Sequence, residues 1–149
     1  MRHILAGLLL AFIAFAATAE EALPRTETVA VETAAGVTEF AAEIADTDRL
    51  REKGLMFRRS LAPDKGMLFD FGQPRMVAMW MKNTYIALDM VFIRADGTVA
   101  GVASNTKPHS LDVIGVEEPV LGVLELSAGA AARIGLKPGD KVRHPMFER

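Results

Sequence analysis

The chain has 149 residues, half of them hydrophobic, with 17 basic against 19 acidic side chains, a net charge of −2 and no Cys. A small negative charge without a basic cluster argues against a nucleic-acid partner, and the absence of Cys excludes a disulfide framework and any thiol nucleophile.

Met1-Arg2-His3 is a short basic start, Ile4 to Ala16 is an apolar run, and Ala17-Thr18-Ala19 is a small-x-small cleavage box. The 13-residue run is shorter than the roughly 20 residues a membrane span needs. Residues 1–19 are therefore expected to be an export signal cut after Ala19, giving a periplasmic protein whose only membrane contact is through that segment. An uncleaved anchor is the alternative. Residues 1–19 hold one Arg and no acidic residue, so their loss leaves 130 residues with 16 basic and 19 acidic side chains, a net charge of −3. That length suits one domain over residues 26–149, preceded by a loose terminus at 20–25.

Thr26 to Thr33 and Val37 to Ala45 alternate polar and apolar residues around a turn at Gly36, which predicts an antiparallel hairpin. Asp46-Thr47-Asp48 supplies helix-capping residues for a short helix over Arg49 to Phe57, in which Gly54 marks either the end or a close backbone contact. Pro63 to Gly66 is a turn, Gly66 to Phe71 a strand, Gly72-Gln73-Pro74 a second turn, and Met76 to Met81 a further strand. Met90 to Ala95 is nearly all apolar, as in a strand covered on both faces, and Asp96-Gly97 is a type I′ signal leading to a partner at Val99 to Ala103. Ser104 to Asp112 reads as a loop and Val120 to Leu126 as another apolar strand. Ser127 is placed to cap a helix over Ala128 to Ile134, with Gly135 as its left-handed end, and Pro138-Gly139 turns the chain into a last strand at Lys141 to His144. About eight short strands with two short helices predict a β-rich α+β fold, a compact barrel-like or sandwich-like, mostly antiparallel sheet.

Three stretches carry a resemblance: Arg51-Glu52-Lys53-Gly54-Leu55-Met56-Phe57-Arg58; Gly66-Met67-Leu68-Phe69; and Trp80-Met81-Lys82-Asn83-Thr84 with Leu88-Asp89 and Asp96-Gly97. Together they resemble the bacterial and archaeal family called domain of unknown function 192, or uncharacterised protein family 0127, from Glu32 to Val142. The resemblance implies an exported or membrane-associated protein with a single β-rich domain and no established activity, and it brings no catalytic residues. Members often have Pro where this chain has Ala87, and some have cysteines in the loop that here reads Lys107-Pro108-His109-Ser110. Cysteine chemistry does not apply to this chain.

The candidate site follows from polar residues placed in apolar surroundings, where burial is costly unless each group finds a partner. Lys82, Asn83, Thr84 and Asp89 would form a ligand pocket if the chain from Lys82 to Asp89 folds back on itself. Lys82 would then meet an anionic group, Asn83 and Thr84 would donate, and Asp89 would accept or act as a base. The other reading is an internal network that satisfies the loop's own backbone. Arg58 is a candidate clamp for a carboxylate or phosphate, against a solvated charged face, and Trp80 is a core anchor or a cleft wall.

Met76, Met79 and Met81 are close enough in sequence to suggest soft-metal binding, but core filling is the ordinary use of methionine and the His set is thin, so no metal is expected. His109, Ser110 and Asp112 are too close in sequence to assemble a triad, and no nucleotide-binding loop or cofactor motif is present. The expected function is a small binding module for a small molecule, a glycan or an envelope protein. An envelope hydrolase using Asp89 as general acid or base is the alternative, and a structural envelope protein the third.

Overall fold

The computed structural model describes residues 23–149, so the proposed signal and its cleavage site lie outside the described residues. Among the described residues no helix is long and apolar enough to cross a membrane. The elements in chain order are β1 (Thr26–Thr33), β2 (Gly36–Ala45), α1 (Asp48–Lys53), β3 (Lys65–Arg75), β4 (Leu88–Ile93), β5 (Val99–Ala103), β6 (Val120–Ser127), α2 (Ala130–Ile134) and β7 (Lys141–Arg143), with a single 3₁₀ turn at Pro145–Phe147. The seven strands form one curled sheet in the order β5-β4-β6-β3-β2-β1-β7, a half-barrel. This is the expected barrel-like β-rich α+β fold, not a sandwich.

Every pairing is antiparallel except β2 with β3, whose parallel alignment follows from the crossover that α1 and residues 54–64 provide. The two end strands meet at one corner. There Thr98 bridges Lys141, Val99 N donates to Asp140 O at 2.8 Å, and Val142 N donates to Gly97 O at 2.8 Å. These bonds partly close the sheet and remove part of an exposed edge.

Alternation along the strands sorts the core into two clusters. Val91, Ile93, Leu124, Leu126, Phe40 and Ile44 fill the inner cluster, together with Ala131 and Ile134 of α2. Leu88, Met90, Phe92, Met67, Phe69 and Val123 face the other way, where α1, the chain from Met76 to Ala87 and the loop before β6 cover them.

Several boundaries differ from those the sequence suggests. Gly72-Gln73-Pro74 is not a turn; it continues β3 through an irregularity between Asp70 and Arg75. Met76 to Met81 is not a ladder strand. Its alternation is real, with Val77 and Met81 buried and Trp80 exposed, but its pairing is one bridge between Met79 and Ile114. The segment lies over the sheet instead of inside it. The Asp96-Gly97 turn has only Gly97 at positive φ, 83°, so it is not type I′. Gly97 N donates to Arg94 O and Arg94 N to Thr98 O, which makes the loop one residue longer, with Gly97 in the left-handed position.

Helix α1 ends at Gly54 rather than at Phe57. Thr47 caps its start as expected, accepting from Leu50 N, and a Cβ at Gly54 would stand 3.1 Å from the Phe69 ring, so the glycine both ends the helix and permits close contact. Helix α2 begins two residues later than expected and has no side-chain cap of its own, so Ser127 does not cap it. Gly135 ends it in the left-handed conformation at φ 68°, as its sequence position indicates.

Candidate functional site

Strand β4 begins at Leu88, so Asp89 is a strand residue and not part of the loop. Leu88 and Met90 face the outer cluster, which turns Asp89 inward beside Val91. Its carboxylate is fully buried and accepts two backbone hydrogen bonds, Asn105 N to Oδ1 at 2.8 Å and Ala131 N to Oδ2 at 2.9 Å. Asp89 therefore supplies the cap that α2 lacks in its own sequence, from another element. It neither meets Lys82 nor reaches solvent. The pocket that Lys82 and Asp89 were expected to share does not form, because the sheet separates them, and the same burial removes Asp89 as the general acid or base of a hydrolase.

The remaining candidates divide. Arg58 is clamped by Glu43 through two hydrogen bonds of 2.8 and 2.7 Å, which occupies the guanidinium edge a ligand would need. Asn83 adopts φ 54°, gives its carbonyl to Phe57 N, and directs its amide toward Met56 Sδ at 3.9 Å, so it shapes the loop. Trp80, Lys82 and Thr84 do come together, as walls of a cleft of about 540 Å³. Thr84 is 6% exposed and donates to Lys82 O at 3.1 Å, holding the turn. Lys82 carries its ammonium 5.0 Å from the centre of the Trp80 ring, and Trp80, 48% exposed, is a wall and not a core anchor.

The opposite wall is α1 and the chain after it, from Arg51 to Met56, and Phe69, Phe71 and Arg75 of β3 complete the cleft. Arg51 is held by Asp70 O at 2.5 Å and Asp48 at 2.7 Å, and the Arg75 guanidinium sits 4.9 Å above the Phe71 ring. Four basic side chains, Arg51, Lys53, Arg75 and Lys82, thus line one cleft against two acids, Glu52 and Glu125.

Glu125 is the residue that sequence reasoning passed over. It sits in the second half of β6, opposite Met67 of β3 and Met90 of β4, on the outer face and beneath the cleft. It is 4% exposed, and among the described residues no hydrogen bond or ion pair to another side chain accompanies it. Glu43 lies in the same row, two strands away, and is neutralised by Arg58; Glu125 has no such partner. Burial pushes its carboxyl from the ordinary glutamate value of 4.5 up to about 8. Because the folded value lies above the unfolded one, folding takes up a proton. Stability from this group is therefore greatest below about pH 4.5 and is lost progressively as pH rises toward 8. The signal available in the sequence was a lone acid in the apolar run Val120 to Leu126, the same kind of signal that singled out Asp89.

The family model of uncharacterised ACR proteins, DUF192, matches residues 29–144, which include both walls of the cleft and its floor. The chain belongs to the DUF192 family. Two solved structures are similar over most of this member's length. One, described as a "putative transcription regulator" from Sinorhizobium meliloti 1021, is 48% identical with a TM-score of 0.82, over 85% of this chain and 99% of that one. The other, a protein of unknown function from Novosphingobium aromaticivorans DSM 12444, is 38% identical with a TM-score of 0.78, over 84% of this chain and 95% of that one. No curated protein matches this chain.

Proposed function

We propose that this DUF192 protein is an exported binding module whose cleft between α1 and the Trp80–Thr84 segment takes a small anionic molecule or an acidic glycan fragment. The observation that carries the reading is the convergence of Arg51, Lys53, Arg75 and Lys82 on one cleft, whose deeply buried acid, Glu125, has no ion-pair partner among the described residues. Basic groups supply attraction and hydrogen-bond donors for an oxyanion, while Trp80, Phe71 and Met79 offer apolar surface to the rest of the ligand. A purely structural envelope protein would not need an open cleft of this size. The regulator description of the Sinorhizobium protein gives little support for DNA binding here, because the mature chain would carry −3 and its clustered cations line a cleft instead of a broad face.

Export rests on the Ala17-Thr18-Ala19 box, and intact-mass analysis of an envelope fraction is expected to find a chain beginning at Glu20. A full-length species in the membrane would refute cleavage. Binding is tested by titrating the purified protein with sulfate, phosphate, citrate and glucuronate. At least one is expected to raise the denaturation midpoint of the parent. Lys82→Met keeps the apolar stem and removes the charge. It gives up an exposed cation–π contact worth about 0.5–1 kcal/mol, so the variant is expected to fold normally and bind at least tenfold more weakly. Undiminished binding by the variant would refute the cleft as the site.

A further inference from the structure

The geometry points to proton-coupled binding: the cleft takes an oxyanion, whether a carboxylate or a sulfate-like group, together with a proton held on Glu125, whose neutral carboxyl donates a hydrogen bond to the anion from the cleft floor. This rests on the anion-site reading above and goes further, because it gives the one buried acid in the cleft a role that its surroundings otherwise contradict.

A charged Glu125 would repel the ligand that the surrounding cations attract. A neutral one is an O–H donor in a water-poor position, where its hydrogen bond is strengthened. Among the described residues, the elements packed around it leave it without an ion-pair partner. Strand β4 faces it with Met90 and β3 with Met67 and Phe69, none of which titrates, and in the next strand Glu43 is taken by Arg58. The charged groups sharing the cleft are Arg51, Glu52 and Lys53 from α1, Arg75 from the end of β3, and Lys82 from the covering segment. Arg51 is tied to Asp48 and the Asp70 carbonyl, and Arg75 and Lys82 rest on Phe71 and Trp80. His109 packs at a tilt against Tyr85, outside the cleft lining.

A buried carboxyl with no partner lowers stability at neutral pH, a cost that proteins commonly carry where function needs the group. An arriving anion makes ionisation of Glu125 still harder. The cleft with its carboxyl already protonated binds without proton exchange, whereas the cleft with an ionised carboxyl must first take up one proton. With the free group titrating at about 8, affinity is therefore flat at pH 6–7 and falls about tenfold per unit above 8.

The test uses sulfate and glucuronate, whose own charges stay constant between pH 6 and 9. For the parent we expect affinity to be level at pH 6–7 and to drop about tenfold from pH 8 to 9. Glu125→Gln keeps a donor that cannot ionise, so it should bind without that slope and should show a higher denaturation midpoint at pH 8 than the parent. A parent affinity unchanged from pH 6 to 9, or a slope that survives in Glu125→Gln, overturns the proton step while leaving the anion site standing. Failure of both probes to bind at pH 6 overturns the anion site, and this inference with it. Carbon-13 titration of the Glu125 carboxyl in the parent gives a reading independent of the variant's folding. A midpoint near 8 that moves up with either probe supports the inference; a midpoint in the ordinary carboxylate range, or one that moves down, refutes it.

Discussion

Asp89→Ala is expected to destabilise the protein by about 2–5 kcal/mol, because it leaves two backbone N–H groups, of Asn105 and Ala131, without their acceptor. Each unsatisfied buried donor costs about 1–3 kcal/mol, against a total stability of about 5–15 kcal/mol for a domain of this kind. The site cannot relax by admitting water easily, since Asp89 is fully enclosed and Ala131 packs in the inner cluster. Asp89→Asn retains one acceptor and should lie between parent and Ala variant. Urea denaturation reads the effect as a lower midpoint at unchanged slope. A loss below about 1 kcal/mol would show that the two bonds are not what holds α2 and the Asn105 loop against β4. The folded fraction of Asp89→Ala should still bind anions, because the residue lies on the far side of the sheet from the cleft.

Gly97→Val is expected to cost about 3–5 kcal/mol, the sum of two separate penalties. The backbone there has φ 83°, which a β-branched residue tolerates poorly, and a Cβ would come within 2.6 Å of the Val142 carbonyl oxygen. That oxygen belongs to the strand that joins the two ends of the sheet, where Val142 N also donates to Gly97 O. The substitution thus opens the corner as well as straining the turn. Amide exchange would show it locally, with Val99 and Val142 losing protection before the central strands. A change under about 1 kcal/mol would mean the corner contributes nothing to holding the half-barrel together.

Much of the fold was legible because a strand with one buried face writes its period into the sequence. Thr26–Thr33 and Gly36–Ala45 are such strands, and Leu88–Ile93 declared itself by burying both faces. Met76–Met81 misled for a physical reason. Alternation reports that one side is covered, and it does not report whether a neighbouring strand pairs with the backbone; here a single bridge to Ile114 does. At the site, Trp80, Lys82 and Thr84 were legible as polar and aromatic groups at an apolar boundary. Asp89 was read as a loop residue because β4 was expected to start at Met90 and starts at Leu88; once it belongs to the strand, alternation with Leu88 and Met90 turns it to the inner face. Arg51 and Glu125 are far in sequence from Arg75 and Lys82 and were gathered only by the pairing of β3 with β6 and the crossover of α1, which no local pattern encodes. Glu125 alone had a local signal, as a single acid in an apolar strand.

Trp80 is the chain's sole tryptophan, at the cleft mouth beneath the Lys82 ammonium, so its emission reports on that cleft and on no other surface. The most direct measurement is therefore the emission of Trp80 during a sulfate or glucuronate titration at pH 6, followed in parallel with calorimetric binding. A saturable change with the calorimetric midpoint, present in the parent and weakened at least tenfold in Lys82→Met, is the predicted result. Calorimetric binding that leaves Trp80 emission unchanged, or that Lys82→Met matches in full, would place the anion elsewhere and contradict the account.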